Sequence, residues 1–351
     1  PDPTPPPPPP PEPLDATRVL GPLVILETEQ MQPEPELGNA GHEKGNPFAM
    51  HVVISPWGAG LNRVELSRYS QDALEFKPYV IQSDEHSVDV RTSEQQGQSP
   101  AVEPVKPLAC FDITINGISP RTTPDAQGKV HSLRWARWEV IESTPSGATL
   151  AITIATAADR KPVLRIVRTY ELDEERYEIV LRQRLENLSG RPLDVQLRQY
   201  GQVDLDAIGG YLGDRRTVTF GYFDPNYDTR RSRVFIDDQR EARKNVVADD
   251  EFANLWPNED SDDRQLEMVF AAMANRYFLT ALHHPVTVPE GQDGEAARPA
   301  VRPFDQTFPK VTRVPFQTRE NDGLTLLLTS DTLTIEPGGA QSLDLAMFAG
   351  P

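Results

Sequence analysis

Cysteine is nearly absent: Cys110 stands alone in 351 residues, which excludes an intrachain disulfide and any multi-cysteine metal centre. A single thiol suits a reducing cytoplasm and a thiol-avoiding exported protein equally, so it leaves the compartment open. Long apolar runs are missing too, and no stretch approaches the ~18–20 residues that a membrane-spanning helix requires. No secretory leader is present. Basic charge is scarce, 35 Lys and Arg against 53 Asp and Glu, and the net charge of −18 opposes phosphate backbones and anionic lipid. A general nucleic-acid binder is therefore disfavoured. What remains is enough apolar material, 38% of residues, to build a sizeable core, which argues against wholesale disorder.

Proline is the excess. Ten of the 34 prolines fall within residues 1–13, including the unbroken run 5–11. Such a run forms polyproline II, a semi-rigid spacer roughly 40 Å long at ~3.1 Å per residue. Residues 1–17 are accordingly expected to be a linker or stalk, and 18–351 a single domain. The chain starts at Pro1 rather than Met and stops at Pro351, directly after an apolar run, so a fragment of a longer protein is expected.

Residues 30–46 carry Pro33, Pro35, Gly38, Gly41 and Gly45 and read as a loop. From Phe48 onward the apolar period is two. The clearest block is 163–200. Leu164, Ile166, Tyr170 and Leu172 alternate with Arg165, Val167, Thr169 and Glu171; after a turn at 173–176, Ile179, Leu181 and Leu185 alternate with Glu178, Arg182 and Arg184. Asn187 to Pro192 turns the chain again, and Leu193, Val195 and Leu197 follow against Asp194, Gln196 and Arg198. Antiparallel strands with one wet face account for this most simply. Residues 148–156, 268–273, 277–282, 324–329, 333–335 and 343–348 read the same way. The expected fold is all-β, a large antiparallel sandwich with few helices. Residues 215–244, with eight basic and five acidic side chains, and 245–263, with seven acids and no base, read as long charged excursions from it. Solvated surface is the plain reading of both, and a docking surface for lipid headgroups or an acidic partner the sharper one.

Motifs for chemistry are sparse. There is no G-x-S-x-G elbow, and Cys110 beside Phe111 reads as buried and inert. The glycines between Gly209 and Gly213 lack the spacing and Lys-Ser/Thr ending of a phosphate-binding loop. Asp224, Asn226 and Asp228 reproduce the first spacings of an EF-hand, but Thr229 replaces its glycine and Phe235 its bidentate Glu; Asn258, Asp260 and Asp262 fail similarly. His283 and His284, if both lie on a strand, point to opposite faces and do not chelate one ion. Asn187-Leu188-Ser189 matches a glycosylation sequon in a turn. No catalytic residue, metal ligand or cofactor is therefore assigned. A His acid and Glu base acting on a sugar ring remain conceivable among six His and many Glu, since large β-sandwiches include sugar mutarotases.

Several segments together resemble the large extracytoplasmic domain of the YidC membrane protein insertases. They are Arg168-Thr169-Tyr170-Glu171-Leu172 through Tyr177-Glu178-Ile179 and on to Leu193; Gln199-Tyr200-Gly201-Gln202; Asn275-Arg276-Tyr277-Phe278-Leu279-Thr280-Ala281; Met347-Phe348-Ala349-Gly350-Pro351; and residues 51–69 around Gly58-Ala59-Gly60. Residues 93–107 and 249–263 are longer than the resemblance leads one to expect. The resemblance implies a β-supersandwich of the galactose-mutarotase type on the periplasmic face of the bacterial inner membrane, tethered through segments outside this sequence. It implies a non-catalytic role in membrane protein insertion and folding, with the Sec translocon, its accessory subunits and nascent membrane proteins as partners. The alternative is a sugar-binding or mutarotase-like enzyme with a His/Glu acid–base pair.

Overall fold

The computed structural model of the chain describes residues 21–39, 45–71, 77–83, 105–124, 128, 130–206, 215–236, 239–246, 253–286, 301–317 and 322–351. The proline-rich stalk, the glycines at 209–213, His42, His86 and most of 93–107 lie outside these residues. β1 (Leu23–Leu26) opens the largest sheet, and β2 (Glu36–Gly38), β3 (Met50–Ile54), β4 (Leu61–Ser70) and β5 (Pro78–Ser83) then form a four-stranded sheet in chain order. β6 (Cys110–Ile115) enters a six-stranded sheet, and β7 (Arg121–Thr122), β8 (Glu139–Thr144), β9 (Gly147–Thr156), β10 (Pro162–Leu172) and β11 (Glu178–Asn187) return to the largest. β12 (Leu193–Val203) crosses to the six-stranded sheet. β13 (Thr217–Phe223) and β14 (Arg240–Ala242) rejoin the largest, followed by the short helix α1 (Arg243–Val246). β15 (Asn254–Trp256) pairs in the six-stranded sheet, helix α2 (Glu259–Arg264) follows, and β16 (Glu267–Ala274) and β17 (Leu279–His283) lie in the largest. β18 (Lys310–Gln317), β19 (Asp322–Thr329) and β20 (Leu333–Ile335) complete the six strands, and β21 (Ala340–Ser342) and β22 (Leu345–Gly350) bring the largest sheet to twelve.

Pairing is antiparallel throughout the named strands, except that β1 runs parallel to β7. Of the three consecutive antiparallel strands read from residues 163–200, the first two pair, β10 with β11 from Leu164↔Asn187 to Leu172↔Ile179, but the third does not continue the meander: after the Asn187 turn β12 leaves for the six-stranded sheet and pairs with β6, β19 and β20. The two strands expected around the 274–276 turn are β16 and β17. One apolar core joins all three sheets, drawing Leu37, Val52 and Leu61 from the smallest, Ile166, Leu181 and Met347 from the largest, and Leu197, Val311 and Leu326 from the six-stranded one. The two larger sheets face each other, Gly201 of β12 lying against Leu282 of β17 and the Gln202 amide donating to the Ala271 carbonyl at 3.0 Å.

Four further sequence expectations are corrected. Residues 30–46 are not wholly loop, because Leu37, fully buried in β2, pairs opposite Val52. Residues 215–244 are not simply an excursion: Val218, Phe220 and Tyr222 of β13 enter the core while β13 pairs with β16 from Thr217↔Ala274 to Phe223↔Glu267. Within 245–263, Trp256 of β15 is likewise buried, and Glu259, Asp260, Asp262 and Asp263 lie in α2 with Asn258 as its cap. The last strand begins two residues later than expected, at Leu345, and runs to Gly350.

Candidate functional site

Arg168 occupies an inward position of β10, between Ile166 and Tyr170, and is completely buried. Its guanidinium donates from Nη1 to the Ala59 carbonyl at 2.7 Å and from Nη2 to the Leu108 carbonyl at 2.6 Å, and the Tyr170 hydroxyl donates to Ala59 at 2.6 Å. These bonds hold the Gly58–Ala59–Gly60 turn against the start of β6, where the Cys110 amide donates to the Gly58 carbonyl at 2.9 Å. Burial pushes the Tyr170 hydroxyl up to about 12 and also raises the Cys110 thiol, with Arg168 opposing both shifts. Cys110 is therefore a buried, protonated thiol, as its apolar setting leads one to expect. In the sequence Arg168 stands only within a segment of the family resemblance, not as a candidate site residue. The signal was available: it is the one charged residue at an inward position of β10, opposite Gln183, another buried polar side chain.

A surface cleft of about 350 Å³ lies on the outer face of the largest sheet and is lined by Glu171, Asp173, Arg176, Glu178, Arg182 and Val286 among others. Its charges are paired within the chain. Arg182 meets Glu171 at 2.8 Å and Asp344 at 3.6 Å, and Arg176 meets Asp173 at 3.3 Å. His283, at the end of β17, places Nε2 3.3 Å from Glu178. That hydrogen bond holds the Glu178 carboxyl below the usual carboxylate range. His284 lies beyond the strand, its Nδ1 3.2 Å from the Pro285 carbonyl, so the two histidines do not converge. His51 bridges the smallest sheet, 3.1 Å from Glu65 and 3.3 Å from Glu36.

The acidic loops are also closed by intramolecular donors. Asp224 accepts from the Asn226 amide at 3.0 Å and from Arg264 Nη2 at 2.8 Å, and the arginine holds its pKa low. Asp228 accepts from the Ser232 amide and hydroxyl, at 2.8 and 2.7 Å. Asn258 caps α2 in a reciprocal pair with Ser261, while Asp260 bonds Gln239 at 2.7 Å and Arg264 at 3.2 Å. Among the described residues, no group of three or more His, Cys, Asp or Glu side chains is placed to hold a metal ion. Asn187 of the sequon is buried, its amide nitrogen donating to the Arg191 and Ile335 carbonyls at 2.8 Å each.

Asp305 is a half-buried carboxyl that periodicity could not reveal. It sits in the 3₁₀ turn Phe304–Gln306 and accepts from the Met268 amide at 2.6 Å. Burial, with Glu267 nearby, raises it to about 6.

Residues 118–351 match the sequence model of the family described as the YidC periplasmic domain. No curated protein matches the chain. Similar solved structures include the galactose mutarotase related enzyme from Lactobacillus acidophilus, 11% identical over 91% of this chain and 98% of that one, with a TM-score of 0.47. A GalM/aldose epimerase homologue from C. elegans gives the same values. A galactose mutarotase-like protein from Lactobacillus casei is 10% identical over 90% of this chain and 100% of that one, with a TM-score of 0.40.

Proposed function

Because the chain belongs to the YidC periplasmic domain family, we propose that it is the non-catalytic extracytoplasmic domain of a YidC-type insertase, supporting insertion and folding of inner-membrane proteins by docking partners or briefly contacting clients. The observation that carries this reading is the family match over 118–351, well over half of the chain. The disposition of reactive groups supports it. Cys110 and Tyr170 are buried, and His51, Glu178 and Asp224 are engaged by neighbours within the chain. The implied location is the periplasmic face of the inner membrane, with residues 1–17 as a stalk and 18–351 as one domain. The implied partners are the Sec translocon, its accessory subunits and nascent membrane proteins. Photo-cross-linkers at surface positions of the intact membrane protein test the role, with adducts to translocon subunits or nascent chains as the expected result. Their absence at every position would remove it.

One observation favours a second reading. Glu178 lines the cleft and bonds His283, which is not itself a lining residue; a His and a carboxylate are the two residue types that ring-opening proton exchange on a sugar requires. Against it, the imidazole and carboxylate are 3.3 Å apart and bond each other, leaving no sugar ring between them. Titration with a panel of monosaccharides, followed by heteronuclear NMR with mutarotation assayed alongside, separates the readings. Turnover lost in His283→Ala and Glu178→Gln would establish the enzyme, and silence across the panel would eliminate it.

A further inference from the structure

Three polar side chains and the lone thiol meet between the two larger sheets, and none of them is exposed: Arg168 of β10, Gln183 of β11, Cys110 of β6 and Gln199 of β12. Register sets them in two directly opposed pairs, Arg168↔Gln183 in the largest sheet and Cys110↔Gln199 in the six-stranded one. Directly opposed residues point to the same face of a sheet, with their β-carbons about 4.5–5.5 Å apart. Here that face is the core, since Ile166 and Tyr170 flank Arg168, Leu181 and Leu185 flank Gln183, and Leu197 stands two residues before Gln199. Arg168 links the pairs across the sandwich. It donates to the carbonyl of Leu108, two residues ahead of Cys110, at 2.6 Å, and its charge reaches the Cys110 thiol. The hydrogen bonding of this group is incomplete. The guanidinium commits both Nη atoms to main-chain carbonyls and leaves Nε without an acceptor. The Gln183 amide nitrogen donates to the Leu343 carbonyl at 2.9 Å, while its Oε1 accepts nothing. Gln199 has no partner at either Oε1 or Nε2.

Orphaned buried donors and acceptors are costly, and folded proteins satisfy nearly all of them. The chemistry of this set selects its ligand. Arg168 Nε and Gln199 Nε2 are donors, whereas Gln183 Oε1 and Gln199 Oε1 are acceptors. An anion would serve the donors but face two bare oxygens. A metal ion would serve the oxygens but be repelled by the guanidinium. Water both donates and accepts. We infer that Arg168, Gln183 and Gln199 form a binding site for buried water, held between the two larger sheets as an integral part of the fold. A buried water makes ~3 hydrogen bonds, so about two molecules serve the orphaned atoms. They also solvate a charge that burial has taken out of bulk solvent. The site is independent of the proposed docking role and stands or falls apart from it.

Water–protein NOE and ROE spectra of the isotope-labelled chain as it stands read the site directly. The Gln199 side-chain amide and the Arg168 Nε proton should each show a cross-peak to water with opposite signs in the two spectra. Such signs mark a long-lived water, whereas proton exchange gives the same sign in both. Magnetic relaxation dispersion of the water oxygen then counts the long-lived waters of the whole protein. Gln199→Leu should lower that count by about one or two, and Gln183→Met by about one. Gln341→Leu, at an exposed position of β21, should leave it unchanged. The spectra of the parent protein decide the matter even where a core variant fails to fold. No water cross-peak at either group would overturn the inference. So would an unchanged count in a folded Gln199→Leu, or an equal loss in Gln341→Leu. Replacing chloride by bromide in the buffer should leave the Gln199 amide resonance in place. A shift there would make the occupant an anion and remove water from the site.

Discussion

Removing the guanidinium of Arg168 leaves the buried Leu108 carbonyl without its donor and the Ala59 carbonyl with the Tyr170 hydroxyl alone. Unpaired buried acceptors cost on the order of 1–3 kcal/mol each, so Arg168→Met should destabilise the fold by about 3 kcal/mol in urea unfolding. Tyr170→Phe, which removes one hydroxyl donor to Ala59, should cost about 1 kcal/mol by the same measure. Asp305 acts through pH. Its folded value of about 6 stands above its ordinary 3.8, so the folded state binds the proton more tightly. Its contribution is therefore fully present below pH ~4 and is lost as pH rises through ~6. Asp305→Asn keeps an acceptor for the Met268 amide but cannot ionise. It should stabilise the protein by on the order of 2 kcal/mol at neutral pH and change little at pH 4, as read from denaturation midpoints at the two pH values.

At the scale of elements, two left-handed glycines make a contrast that can be measured. Gly338, at φ +70° in the turn before β21, has open space where a side chain would stand; Gly58, at φ +69°, would bring a β-carbon within 2.5 Å of the Arg134 carbonyl. Gly338→Ala should cost about 1 kcal/mol from backbone strain alone. Gly58→Ala should cost clearly more, because the Arg134 backbone must also move, and thermal unfolding of the two variants ranks them. The elements legible in the sequence were those with one wet face: β9 to β11 alternate so regularly that their pairing could be anticipated, whereas β12 alternates as regularly but crosses to the other sheet, which no local period announces. β2 was hidden because three residues between prolines and glycines are too short to show a period. β13 was hidden by the charge on either side of Thr217-Val218-Thr219-Phe220. The candidate site was far less legible. Arg168 and Asp305 matter through burial, and the group that Arg168 forms with Gln183, Cys110 and Gln199 draws on β10, β11, β6 and β12. No local spacing encodes such a convergence.

At the scale of the whole molecule, the three sheets share one apolar cluster rather than three. The smallest sheet is bound to it twice over. Met50, Val52, Leu61 and Leu66 enter the common core, and Tyr79 of β5 stacks on Phe278 of the β16–β17 turn at 4.1 Å, with Tyr69 edge-on to the same ring at 5.8 Å. The Gln82 amide adds a bond to Val203 of β12 in each direction, at 2.8 and 2.7 Å. A sheet attached in this way has no separate core on which to survive alone, so the described strands should unfold in one cooperative step. Leu61→Ala, which empties a fully buried position of β4, should cost about 2–5 kcal/mol and lower a single transition. Fluorine NMR of fluorotryptophan-labelled protein supplies local probes at Trp57 beside the smallest sheet and Trp256 in the six-stranded one. Both resonances should lose their native positions at the same denaturant concentration, in the parent and in Leu61→Ala alike. Loss of the Trp57 signal first would mean that the smallest sheet is an independent unit, and the expectation of one domain over 18–351 would give way to two.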